Sequence, residues 1–217
     1  MRDTFRHDLD HIGRSLVEMT GLVGSAIGRA TTALLDADLV LAESVIAGDD
    51  AVDAAYHRTE ERAYDLLARQ QPVAGDLRVV VAGLRMVSDL ERMGDYATHV
   101  AKVARRRYPA SVVPAEVRST VLEMGQTAQR VVEKAGSVIA GQDVERAIEL
   151  EAEDDVMDGL QRSLFTILLS GEWPYGMEAA VDLTLLGRYY ERFADHAVSV
   201  ARRVIYLVTG DYATAAR

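Results

Sequence analysis

Asp49/Asp53, Glu91/Asp95, Asp154/Asp158 and Glu191/Asp195 each set two carboxylates four residues apart, which places them on one face wherever the segment is helical. Carboxylates paired this way repel one another. The repulsion can be offset by neighbouring arginines such as Arg92 and Arg192, by a shared proton, or by a bound cation. An all-oxygen donor set suits hard cations such as Mg²⁺, Mn²⁺, Ca²⁺ or Fe³⁺ better than zinc. A solvated acidic face is the competing reading, because 34 acidic residues in 217 produce about five such pairs by chance. Placement carries the information: two pairs are read at the start of the second helix of each half of the chain, and two midway along the third.

Other groups that could take part are few. His99 continues the Glu91/Asp95 face at i+4 and His196 follows Asp195, so either can approach a cluster. His7 and His11 share a face with Asp3, and His57 lies in a charged helix; these three read as surface residues. Arg105-Arg106-Arg107 and Arg202-Arg203 close the two third helices, where basic residues complement the helix dipole and could also dock an acidic surface or anionic lipid. There is no phosphate-binding glycine loop, no Gly-x-Gly-x-x-Gly, and no recognisable Ser/His/Asp framework. Glu-x-x-His, the ligand pair of di-iron bundles, does not occur, which disfavours a carboxylate-bridged oxidase.

The elements that must position these residues are helical. Phe5, Leu9, Ile12, Leu16, Met19 and Val23 step by four and three, and Ala30 and Leu34 continue the stripe, so a long helix with a coiled-coil-like seam is predicted. A second piece is expected over 36–47, interrupted by Gly48. Asp49-Asp50 would cap a helix running to about Arg69, ended by Gln70-Gln71-Pro72. A third helix is expected over about 73–107. After Pro109 and Pro114 the scheme restarts, with helices over about 115–140 and 153–170, a short piece after Gly141, and, past a break at Gly171-Glu172-Trp173-Pro174, a last helix to about Thr209. The prediction is an all-α chain of six main helices.

Residues 91–104 (ERMGDYATHVAKVA) and 191–204 (ERFADHAVSVARRV) match at six of fourteen positions, against about one by chance. An internal duplication follows: a first three-helix unit over 1–108, a linker over 109–114, and a second unit over 115–210, related by a pseudo-two-fold. Asp53 lies 18 residues before Gln71 and Glu91 lies 19 after Pro72, so in an antiparallel hairpin they stand at one height, with Asp49 and Asp95 level one turn further out. Each unit can assemble four carboxylates between two helices.

Composition bounds the function. A net charge of −10 argues against nucleic acid as the main partner. The absence of cysteine removes disulfides, thiolate zinc sites, iron–sulfur clusters and a cysteine nucleophile. Lys102 and Lys134 are the two lysines, so Schiff-base chemistry has few candidates. No apolar run approaches the roughly 20 residues of a membrane span and the N-terminus has no apolar signal core, so a cytoplasmic protein is expected.

Gln70-Gln71-Pro72-Val73-Ala74-Gly75-Asp76-Leu77-Arg78, followed by Asp89-Leu90-Glu91-Arg92-Met93-Gly94-Asp95, resembles the first repeat of the PhoU family of phosphate-signalling regulators. Tyr190-Glu191-Arg192-Phe193-Ala194-Asp195-His196-Ala197 resembles its second hallmark, and the resemblance covers essentially the whole chain. It implies two three-helix bundles, a homodimer, and no catalytic turnover. It also implies a cytoplasmic adapter between the ATPase subunit of a phosphate-specific ABC transporter and a phosphate-sensing histidine kinase, without membrane insertion and near membranes only through those partners. Such an adapter keeps the phosphate-starvation response off when phosphate is plentiful. Some members bind iron, zinc or other metal through the carboxylate motifs, which fall here on Asp49, Asp53, Glu91, Asp95, Asp154, Asp158, Glu191 and Asp195; manganese and magnesium also suit this donor chemistry. Tyr96 stands where the family often has histidine, whereas His196 keeps it, so occupancy of the first cluster is expected to be the weaker if histidine helps. Asp76-Leu77-Arg78 has no counterpart after Trp173-Pro174. Two other classes stand beside the adapter: a helical-bundle metalloenzyme, which lacks nucleophile motifs, and a purely structural helical scaffold.

Overall fold

The stripe on the first helix is the seam on which the molecule is built. Ile12, Leu16, Met19, Val23, Ala30 and Leu34 are all buried, joined by Ile27. Each large member stabilises the fold by about 1.5–3 kcal/mol relative to exposure. The computed structural model describes residues 2–211, with side chains from His7 onward, so the side chains of Asp3 and Phe5 lie outside the described part. Six helices follow in order: α1 (Arg2–Asp36), α2 (Leu39–Gln70), α3 (Ala74–Arg107), α4 (Ala115–Gly141), α5 (Val144–Leu168) and α6 (Gly176–Thr209). The chain is all-α.

Two expected interruptions are absent. α2 runs straight through Gly48, and Asp49-Asp50 lie in its interior rather than at a cap. A mid-helix glycine costs only about 1 kcal/mol against alanine, less than burial of Val45 and Val52 on either side returns. The cap is Asp38, whose carboxylate accepts from the Leu41 amide at 2.9 Å. Likewise α5 starts at Val144 rather than Glu153, with no separate piece after Gly141, because Asp143 accepts from the Arg146 amide at 3.1 Å. Each capping aspartate follows a residue in the left-handed region, Ala37 (φ 51°) and Gln142 (φ 48°). The same tight turn therefore opens the second helix of both units.

α1, α2 and α3 pack mutually, as do α4, α5 and α6. Between units, α1 meets α4 and α3 meets α6, like against like, as a pseudo-two-fold requires. Among the described residues α2 and α5 touch only their own unit. The α1–α4 contact is antiparallel and close. A Cβ on Gly125 would sit 2.3 Å from Thr31, and one on Gly136 2.5 Å from Thr20, so a side chain at either position would force the facing threonine to move. Thr31 also bonds the Tyr190 hydroxyl at 2.8 Å, tying α1 of the first unit to α6 of the second. No helix among the described residues is long and apolar enough to cross a membrane.

Candidate functional site

α2 and α3 form an antiparallel hairpin that sets Asp49 and Val52 against Gly94, where an added Cβ would lie 3.3 Å from the Asp49 carboxylate. The small residue lets the acidic faces approach. Asp49, Asp53, Glu91 and Asp95 then lie within one another's field. Burial pushes the Asp49 carboxyl above its ordinary range; the Thr98 hydroxyl pulls it down, and Asp53 and Asp95 push it up again. Glu91 is raised by burial, then by Asp95, against the lowering pull of Arg92. Arg92 donates to Asp95 at 3.0 Å and lies 3.7 Å from Glu91.

The second unit builds the same group from Asp154, Asp158, Glu191 and Asp195. Here the first acid pair also sits inside its helix, not at the helix start. Asp49 and Asp154 each stand eleven residues beyond their capping aspartate. Asp154 is the outlier among the eight. Its Oδ1 is buried without a hydrogen-bond partner, and burial, followed by Asp195 and Asp158, pushes its carboxyl up to about 6. Burial also raises Glu191, followed by Asp195, while Arg188 and Arg192 pull it down. Arg188 binds Glu191, and Arg192 donates to Asp195 at 2.8 Å.

Among the described residues, no three carboxylate or imidazole groups converge on a point from which they could coordinate a metal. The donor set nevertheless fits a hard cation chemically, being carboxylate oxygen throughout, and the orphaned Asp154 oxygen is a donor with no protein partner.

The histidines go elsewhere. His196 Nδ1 lies 3.0 Å from Asp89 Oδ1, and Arg203 donates to Asp89 Oδ2 at 2.8 Å, so His196 faces the α3–α6 interface instead of the carboxylate cluster beside it. His99 stacks on Tyr189 with centroids 5.1 Å apart, and Tyr96 lies between Tyr189 and His196. Tyr96 and His196 thus both lie at the contact between units, where Tyr96 also bonds Arg192, the arginine that holds Asp195. His7 and His57 are exposed, while His11 is half-buried against Ser15.

Two carboxylates that matter were not singled out from the sequence. Asp89 and Asp182 are both buried. Asp182 takes Arg106 at 2.5 Å and Arg107 at 2.5 Å, and Arg107 also binds Glu178. The arginines closing α3 are therefore largely committed within the molecule. A signal did exist: Asp89 sits inside the buried run Met86, Val87, Leu90, Met93, where a carboxylate requires partners. Those partners are 107 and 114 residues away, beyond local pattern.

With this architecture in place, comparisons with known proteins converge. A family profile described as PhoU domain matches residues 16–104 and 121–204, once per unit. The phosphate-specific transport system accessory protein PhoU homolog 2 of Mycobacterium tuberculosis is 51% identical over 212 residues, covering 98% of this chain and 100% of the relative. The PhoU homolog of Rhizobium meliloti is 30% identical over 95% of this chain and 87% of its own length. The crystal structure of PhoU from Pseudomonas aeruginosa superposes with a TM-score of 0.84 at 31% identity, over 95% of this chain and all of that one. The Streptococcus pneumoniae regulatory protein PhoU, at 24% identity and TM-score 0.85, shares the fold. Duplicated helical units, matched one by one and end to end, place this chain in the PhoU family of phosphate-transport accessory and regulatory proteins.

Proposed function

We propose that this regulator of phosphate homeostasis works as a cytoplasmic, homodimeric adapter. It contacts the ATPase subunit of a phosphate ABC transporter and a phosphate-sensing histidine kinase, and represses the starvation response when phosphate is plentiful. Its role is regulatory and non-enzymatic, as family membership indicates. The observation that carries the reading is the pair of carboxylate clusters, one per unit, each with its partly solvated acids on α2 and α3 or on α5 and α6. They give the adapter two similar acidic faces.

Asp49, Asp53, Glu91 and Asp95, and Asp154, Asp158, Glu191 and Asp195, are the residues that would hold a hard cation. Such an ion would supply charge neutralisation of carboxylates that otherwise repel. The chain's own residues set the starting state: Arg92, Arg188 and Arg192 hold Asp95, Glu191 and Asp195, while Asp154 holds a proton more readily than an ordinary carboxyl.

The test is direct binding of the purified chain to the ATPase subunit and to the kinase, comparing native protein with Glu91→Lys/Asp95→Lys and Glu191→Lys/Asp195→Lys. Weakened binding to either partner with folding intact supports the reading. Unchanged binding to both removes the acidic faces as the contact.

A further inference from the structure

The two ends of the α3–α6 pair carry opposite electrostatic solutions. At one end Glu178 and Asp182, in the first turns of α6, bind Arg106 and Arg107 in the last turn of α3. The pseudo-two-fold carries α3 onto α6 with an offset of 100, the register of the matched motifs. At the other end, Arg78 therefore stands for Glu178 and Ala82 for Asp182. The positions that hold the two acids of the first end thus carry Arg78 and Ala82 at the second.

That second end is a cleft of about 470 Å³ lined by Arg78, Arg85, Arg203 and Tyr206, with Leu77 and Val81 as an apolar wall. Among the described residues that line it none is acidic, in a chain of net charge −10. The cationic groups come from both helices and two of them are held in place. Arg203 is anchored by the buried Asp89, and the Arg78 guanidinium lies 5.4 Å from the Tyr206 ring centroid. Pre-positioned guanidinium groups lose little freedom on binding an anion. Leu77 and Val81 are 40% and 38% exposed, so an apolar surface lies open beside the charge.

We propose that this cleft binds a small phosphorylated molecule. The guanidinium groups of Arg78, Arg85 and Arg203 take the phosphoryl oxygens, and the Leu77/Val81 wall takes an apolar or aromatic portion such as a nucleobase. Planar guanidinium groups match phosphoryl oxygens in forked hydrogen bonds. The volume lies in the range of small-ligand sites. The Leu77-Arg78 segment belongs to the first-repeat motif that has no counterpart after Trp173-Pro174, and the site accordingly occurs at one end only.

Isothermal titration of the full chain, in chloride buffer of low ionic strength, uses adenosine 5′-monophosphate, inorganic phosphate and adenosine as probes. The expected result is saturable binding of the monophosphate that weakens at least tenfold in Arg78→Gln and in Arg85→Gln, both of which leave the Asp89–Arg203 pair intact. Arg106→Gln, at the closed end, is expected to stay within about twofold. Equal affinity for inorganic phosphate assigns recognition to the phosphoryl group alone. At least tenfold tighter binding of the monophosphate adds the apolar wall; either outcome supports the site. Adenosine binding as tightly as its monophosphate, no saturable heat from either phosphorylated probe at millimolar concentration, or a polyglutamate peptide binding where the phosphorylated probes do not, would each overturn the proposal.

Discussion

Replacing Asp154 with asparagine should make the metal-free protein more stable at neutral pH. The Asp154 carboxyl is raised from 3.8 to about 6, chiefly by burial, and its Oδ1 has no hydrogen-bond partner to lose. That rise corresponds to a penalty of about 3 kcal/mol on the charged form, which solvent at a half-buried site screens to about 1–2 kcal/mol. Because the folded chain favours the protonated form, this group's contribution is fully present below about pH 4 and is lost as pH rises through about 6. Asp154→Asn should therefore match native protein near pH 4 and gain about 1–2 kcal/mol at pH 7, a rise in Tm of about 2–8 °C for a chain of this size. Urea unfolding of chelator-treated protein at both pH values measures it. A hard cation at 100 times its Kd adds about 2.7 kcal/mol to whichever protein binds it. Since that exceeds the gain from asparagine, loading with Mn²⁺ or Fe³⁺ should put native protein above the variant. A variant less stable than native at pH 7 without metal, or a difference that does not shrink towards pH 4, would refute the reasoning.

Other consequences can be measured by the same unfolding assay. Asp89→Ala removes the acceptor of His196 and Arg203 at the unit contact and should cost about 2–3 kcal/mol, below the full penalty of a buried broken pair because Arg203 is 25% exposed. Asp182→Ala should cost about 1–2 kcal/mol, since the 57% exposed Arg106 regains water. Gly136→Ala should cost about 1–3 kcal/mol by forcing a methyl against Thr20. Thr20→Ala in that background should recover most of the loss, because the hydroxyl it removes bonds the nearby Val17 carbonyl within α1.

What was legible in the sequence was periodic or repeated. The α1 stripe, the proline and glycine breaks around α3 and α6, and the matched motifs depend on neighbouring residues, and all correspond to observed elements. The starts of α2 and α5 were misread for a definite reason. Ala37 and Gln142 adopt a left-handed conformation that their side chains do not advertise, so the left-handed positions are not marked by glycine and the aspartates after them look ordinary. The roles of Asp89, His196 and Asp182 were hidden differently, because their partners come from the other unit across a contact that local spacing does not encode.

Those unadvertised turns act as a clock for the helices they begin. Eleven residues make just over three whole helical turns, so Asp49 and Asp154 return to nearly the same azimuth as Asp38 and Asp143, about 16 Å along the axis. One inserted residue in that interval would swing the carboxylate by about 100° and point it away from α3 or α6. The two halves can drift in side-chain chemistry along this stretch, as Val45 and Leu150 or Gly48 and Glu153 show, but their count is phase-locked. Residue number, more than residue identity, keeps the two acidic faces in step.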